Sequence, residues 1–199
     1  MNSERSYSMA TRSVAVEETK NRILGATLAL ATEKLTVEIV LADVAARSGV
    51  TVQTILRHFG SRDALFDAAV TYGGREVVEE REAPIGDVAE AIRVIMDHYE
   101  LRGDWVIALL GQEASDARIR GITEPGKQLH RDWVERVFAP QLAAHPVSGR
   151  PAVADLLAVA TDAYTWKLLR RDRGLSRTDT EQRMRYLVDA ILASPRERN

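Results

Sequence analysis

The chain has 199 residues, of which 45% are hydrophobic and 28% charged, with a formal net charge of −2. That is enough length and apolar content for a buried core. It contains no cysteine, which excludes disulfides, thiolate metal sites and cysteine nucleophiles, and no run of about 18 apolar residues, which excludes a membrane-spanning helix. The polar stretch Met1–Ala10 lacks an apolar signal core, so the chain reads as cytoplasmic.

Charge is unevenly placed. Residues 1–62 carry eight Lys/Arg against six Asp/Glu, and residues 63–199 carry 19 against 23. From Val44 to Arg62 there are three arginines, Arg47, Arg57 and Arg62, and no acid. A modestly basic segment therefore precedes a mildly acidic remainder, the asymmetry that matters for a polyanionic partner.

In chain order, residues 1–16 hold few large apolar groups and predict a disordered arm. Ile23, Leu24, Leu28, Leu30 and Ala31 recur at helical spacing and predict a helix over 17–34. The β-branched run 36–40 predicts a connection. A short helix follows over 41–48, closed by Gly49, and Thr51 caps a second one ending at Phe59. Ser61 caps a longer helix from Arg62 to about Glu80, which Pro84 terminates. Asp87 and Glu90 fit a capping box. Gly103 is expected to close the helix they open, and Asp104 to cap another through about Ala114. Residues 115–124 read as a turn, 127–142 as a helix shortened or kinked by Pro140, and 145–151 as a loop. A long helix is expected over 152–172, and Thr178 with Glu181 should open a last helix that Pro195 ends. No strand pattern appears. The fold class is all-α, with about nine helices arranged as the arm (1–16), a head (17–62) and a larger body (63–199).

The segment 41–59 has the physical logic of two short helices crossing steeply. The crossing needs a small residue, supplied by Ala45. The turn needs a positive φ, supplied by Gly49. Val44, Val50 and Ile55 form the shared core. The second helix then starts at Thr51 as a major-groove reader would. Thr51 turns its backbone N–H groups and hydroxyl outward, and Val52, Gln53 and Thr54 lie near base edges, where glutamine can pair with adenine and Thr or Val can touch a thymine methyl. Arg47, Leu56, Arg57, His58 and Arg62 complete the expected DNA-facing set, the cations reaching phosphates that fix register rather than read sequence. An αα-hairpin in any helical protein would share Ala45 and Gly49; the residues that follow separate the two readings.

The stretch 20–70 resembles the head of the TetR (tetracycline-repressor-like) family. The resemblance rests on Arg22-Ile23-Leu24, Asp43-Val44-Ala45, Gly49-Val50-Thr51 and, most specifically, Arg57-His58-Phe59-Gly60-Ser61-Arg62-Asp63-Ala64-Leu65. Trp166-Lys167-Leu168-Leu169-Arg170-Arg171-Asp172 is similar to the eighth helix of some members. Three positions depart from the family pattern: Leu56 stands where tyrosine is usual, Arg62 where lysine is usual, and Val40 where threonine is usual. Membership implies a homodimeric, ligand-inducible repressor bound to a palindromic double-stranded DNA operator.

In the body, the apolar residues of 156–169 cover most of their helix's circumference, which predicts burial on two sides. One side would face the body's own core. The other, together with Met184, Leu187, Val188 and Ile191, would face a second copy, giving a homodimer through the last two helices. Met96, Tyr99, Trp105, Leu109, Leu129, Trp133, Phe138, Tyr164 and Trp166 are the candidate liners of a pocket for a small, partly apolar effector, with His98 and His130 as possible polar anchors. The chain carries no phosphate loop, nucleophile elbow or His-Glu-x-x-His helix, so no catalytic residue, metal or cofactor is expected. The rival reading is a helical ligand-binding or structural protein with a degenerate DNA-binding head, which Leu56 and Val40 favour.

Overall fold

Among residues 3–193, which this computed structural model describes (the side chains of residues 3–12, Thr32 and Arg118 excepted), the regular elements are all helical. The chain divides into two compact units, 1–76 and 77–199.

The first unit starts with α1 (Ser3–Glu33), followed by a 3-10 turn (Thr36–Glu38), α2 (Leu41–Ser48), α3 (Val52–Phe59) and the first residues of α4 (Arg62–Glu80). Residues 3–16 thus belong to α1 instead of forming an arm. No glycine or proline lies between Ser3 and Lys20 to interrupt propagation from the packed part of the helix, and residues 13–18 remain exposed. Met1 and Asn2 lie outside the described residues. The core of the unit gathers Ile23, Leu24 and Leu30 from α1, Ile39 from the connection, Val44 and Ala45 from α2, Ile55 from α3 and Leu65, Phe66 and Ala69 from α4, with Phe59 packed against them. α2 ends at Gly49, whose φ of 68° lies in the left-handed region. That is the conformation the tight turn into α3 needs and a Cβ disfavours.

The second unit comprises α5 (Val88–Leu110), α6 (Ala117–Val137), α7 (Ala139–Ala143), α8 (Arg150–Ala160), α9 (Ala163–Lys167) and α10 (Arg177–Ala193), with a 3-10 turn over Val147–Gly149 and a π-turn over Leu168–Asp172. α5 packs on α6, α9 and α10, and α8 packs on α6 and α10.

Five of the expected boundaries in this unit differ, each for an identifiable reason. Gly103 does not end α5; it is the place where α5 meets Trp166, and an added Cβ would come within 2.4 Å of the ring. α6 begins at Ala117, with Asp116 Oδ1 accepting from Ile119 N–H at 3.4 Å, and runs through Pro125. The interruption is tolerated because Gly121 is exposed, so its carbonyl, which loses the donor four residues on, can meet water. The helix expected to reach 142 is shortened: α6 ends at Val137, Phe138 separates it from α7, and Pro140 sits in the first turn of α7, where its missing N–H is not needed. The stretch 152–172 breaks at Thr161, and Asp162 opens α9 by accepting from Tyr164 N–H at 2.8 Å. α10 starts two residues earlier than the Thr178–Glu181 pair suggests, because Ser176 Oγ accepts from Asp179 N–H at 3.0 Å. Pro195 lies outside the described residues.

Candidate functional site

α3 is amphipathic in the sense its sequence requires. Ile55 is fully buried, Val52 and Phe59 pack on the core of the first unit, and Gln53, Leu56 and Arg57 are exposed, with Thr54 and His58 part-exposed. Thr51 Oγ1 accepts from Thr54 N–H at 3.1 Å and lies 3.0 Å from Thr54 Oγ1. Both hydroxyls are therefore engaged in capping the helix, which sets the start of α3 without a further partner. Arg57 has no hydrogen-bond or ion-pair partner among the described residues.

The other two arginines differ. Arg47 makes a two-pronged pair with Glu33 at 2.6 and 3.0 Å. Both side chains are substantially exposed, so the pair is a weak one that a phosphate can replace. Arg62 is held inside the unit. Its Nε donates to Ile39 O at 3.0 Å and its Nη2 to Thr36 O at 2.6 Å, while its guanidinium lies 4.5 Å from the centre of the Phe66 ring. It ties the 36–40 connection to the start of α4, and its Nη1 lies 3.7 Å from Asp63 Oδ1. At Val40, which offers no side-chain cap, the N–H donates instead to Asp43 Oδ2 at 3.2 Å, and the same oxygen accepts from Lys34 Nζ at 2.5 Å. The lysine bond and then the Val40 N–H hold the Asp43 carboxyl below its ordinary range.

In the second unit, five of the aromatic and apolar residues singled out from sequence come together in one core: Met96, Tyr99, Trp133, Phe138 and Trp166. Tyr99 and Trp166 have ring centres 5.8 Å apart, and Trp133 meets Phe138 edge-on at 6.1 Å. Leu109 is buried outside that cluster, Trp105 and Leu129 are part-buried, and Tyr164 stands on the exposed side of α9, 53% accessible. Tyr164 faces away from this interior because Asp162 starts a new helix and resets the phase of the residues after it.

The same core holds a polar cluster. Glu80, at the end of α4, accepts from His98 Nδ1 at 2.8 Å and from Arg102 Nε at 2.8 Å. Burial on its own would raise the Glu80 carboxyl, but these two bonds bring it down to about 2. Burial pushes His98 down to about 4 against the pull of Glu80, so the ring is neutral at pH 7. It gives its one hydrogen to Glu80, and Nε2 is a bare acceptor with no partner. His130 is also pushed down to about 4, first by burial and then by the charge of Arg81. Its Nε2 donates to Ala158 O at 3.1 Å, beside Thr161 Oγ1 at 3.3 Å, and Nδ1 is likewise bare and unpartnered.

Arg81, the residue after α4, is only 6% exposed. Its guanidinium lies 5.6 Å from the centre of the Tyr99 ring, whose hydroxyl donates to Thr161 O at 3.0 Å. Trp133 Nε1 donates to the Arg81 carbonyl at 2.7 Å. Arg81 Nε has no partner. Among the described residues no carboxylate lies within ion-pair distance of the guanidinium. Sequence reasoning missed Arg81, which sits in a charged run (Glu79-Glu80-Arg81-Glu82) that reads as a solvated face.

Comparison with known proteins agrees with the resemblance seen over residues 20–70. Residues 23–69 match the sequence profile of bacterial regulatory proteins of the tetR family. No curated protein sequence matches the chain significantly. Among solved structures, a transcriptional regulator from Rhodococcus sp. Rha1 is 19% identical with a TM-score of 0.66, the match covering 87% of this chain and 95% of that one. A tetR-family transcriptional regulator from Streptomyces coelicolor is 17% identical with a TM-score of 0.67, covering 88% and 80%. A TetR-like transcriptional regulator from Rhodococcus sp. RHA1 is 14% identical with a TM-score of 0.60, covering 89% and 97%. The first unit carries the tetR-family sequence signature, and the chain has the fold of TetR-family transcriptional regulators.

Proposed function

We propose that the chain is a sequence-specific DNA-binding repressor that acts as a homodimer and leaves a palindromic operator when its body binds a small molecule. The observation that carries this reading is α3: a short helix capped at Thr51, anchored by Ile55, and presenting Gln53, Leu56 and Arg57 to solvent in a unit with the tetR-family signature. Gln53 is the base reader and Arg57 the phosphate contact. Leu56, which lacks the hydroxyl usual at its position, lowers affinity for every sequence alike and leaves readout unchanged.

Homodimerisation is supported by the outer faces of the last helices. Leu156, Val159, Tyr164 and Leu168 on the α8–α9 stretch, and Tyr186 and Leu187 on α10, are 41–74% exposed, while Leu157, Ala160, Trp166, Met184 and Val188 on the same helices are buried in the core. Apolar groups on both sides of a helix need a second covering surface, and a two-fold pair places two α3 helices on successive major grooves. The body then couples to the operator by preferring, when ligand-bound, the conformation that does not fit DNA.

The test is an anisotropy titration against fragments of the DNA upstream of its own gene, at two salt concentrations with random competitor. One palindromic fragment should bind about 10³-fold or more tighter than random DNA. Arg57→Ala should weaken all fragments together and reduce the salt slope by about one phosphate's worth. Equal, salt-labile binding of every fragment would favour the rival reading, a ligand-binding helical protein whose head no longer reads DNA.

A further inference from the structure

Among the described residues, Arg81 is a buried cation with no carboxylate within ion-pair distance. Its surroundings are the Tyr99 ring and two imidazoles that are neutral at pH 7, with the charge of Asp162 acting on Tyr99 and His130 from beyond ion-pair distance of the guanidinium. A buried charge is normally paired, because removal from water is costly and only an opposite charge at close range offsets it. Glu80 and Glu82 flank it in sequence; Glu80 is already bonded by His98 and Arg102, and Glu82 is exposed. Beside this cation stand two bare ring nitrogens, His98 Nε2 and His130 Nδ1, each buried and without a donor. Tyr99 lies against both the Arg81 guanidinium, at 5.6 Å, and the His98 ring, at 5.5 Å, while Trp133, whose Nε1 donates to the Arg81 carbonyl, stacks on His130 at 5.9 Å, which places all three groups in one neighbourhood. That neighbourhood is walled by Tyr99 and Trp133.

We infer that the body binds a small hydroxylated organic acid, its carboxylate paired with Arg81 and its hydroxyl or N–H donors directed to His98 Nε2 and His130 Nδ1. The inference rests on the ligand-responsive reading above and gives that ligand its chemical class. One guanidinium with two neutral imidazoles supplies a single positive charge, which matches a carboxylate and undercompensates a phosphate dianion. The bare nitrogens accept and do not donate, so they select against a plain fatty or aromatic acid and for one that also carries hydroxyl groups. The aromatic wall suits an apolar body between the two polar ends. Arg81 directly follows α4, and His98 holds Glu80 at the end of the same helix. A ligand engaging both groups therefore acts on the terminus of the helix whose first residues lie in the core of the DNA-binding unit.

Calorimetric titration of the full chain without DNA separates this inference from the regulator reading, since neither result depends on operator binding. The probes are 4-hydroxybenzoate, 3-hydroxybutyrate and mandelate, each beside its uncharged amide, with benzoate lacking the hydroxyl. At least one hydroxy acid should bind, its amide and the Arg81→Met variant at least about tenfold more weakly, with Arg81→Lys intermediate. The thermal midpoint of ligand-free Arg81→Met should be unchanged or higher, since the variant removes an unpaired buried charge. Binding by none of the acids, equal binding of acid and amide, full binding by Arg81→Met, or a collapse of its thermal midpoint would overturn the proposal. The last result would make Arg81 a structural residue of the core.

Discussion

Arg57 and Arg62 are both cations in the same short basic stretch, and their sequence context gives them the same expected role. The structure surrounds them differently. Arg57 has no partner in the described chain, whereas Arg62 donates to two backbone carbonyls of the 36–40 connection and covers the Phe66 ring. Hydrogen bonds from a charged donor contribute about 1.5–3 kcal/mol net, and two carbonyls lose their donor together if the side chain is removed. Arg62→Ala should therefore destabilise the first unit by about 2–3 kcal/mol in a chemical unfolding titration, while Arg57→Ala should stay within about 0.5 kcal/mol of the parent. Arg62→Lys should recover only part of the loss, because one ammonium cannot reproduce the fork that spans both oxygens. Unchanged unfolding of Arg62→Ala, with DNA affinity as the one property lost, would return Arg62 to the phosphate backbone. The difference between the two arginines was not legible in the sequence, since residue type reports charge and not which carbonyls a side chain can reach. The same blindness hid Arg81: a cation among three glutamates reads as solvent-facing until the fold turns it inward.

At the level of elements, the hairpin over 41–59 was legible almost residue by residue. Its signals are local: a glycine with a left-handed φ, a threonine cap and a single buried isoleucine. The body was less legible because its glycines and prolines answer to tertiary contacts. Gly103 has the sequence signature of a helix stop, yet its role is to let Trp166 approach the backbone of α5. Trp166 is itself fully buried, and its Nε1 donates to Glu100 Oε1 at 3.1 Å. On helix propensity alone, Gly103→Ala would gain about 1 kcal/mol. A methyl group 2.4 Å from a buried indole must push that ring aside, and overpacking of this kind costs about 1–3 kcal/mol. The second effect should win, so Gly103→Ala is expected to lower the thermal midpoint and to shift the tryptophan emission. A raised midpoint with unchanged emission would mean that the ring has room to move and that the glycine is incidental. Pro125 and Pro140 teach the same lesson from the other side: the first is tolerated where α6 is bare to solvent, the second belongs to the first turn of α7.

For the whole molecule, the decisive surface is the outer side of α8, α9 and α10. Periodicity alone indicated that these helices are apolar on two sides; the structure shows which side is already covered. Leu157, Ala160 and Trp166 are buried, and Leu156, Val159 and Leu187 are exposed. A single charge placed on the outer side costs the folded chain little, because that side faces water in one copy. In a dimer the same charge and its two-fold mate are buried without partners, a penalty of several kcal/mol. Val159→Asp combined with Leu187→Glu should therefore leave the helical content intact and convert a dimer to a monomer in sedimentation. Operator binding should fall with it. A dimer docks its second head as an intramolecular step, an advantage of about 10²–10⁴ over one head alone, so the double variant should lose that factor on a palindrome and lose little on a half-site. Retention of the dimer by the double variant would move the subunit interface elsewhere on the body. A monomer that keeps full affinity for the palindrome would show that the two heads bind independently, which would sever the body's control over the DNA.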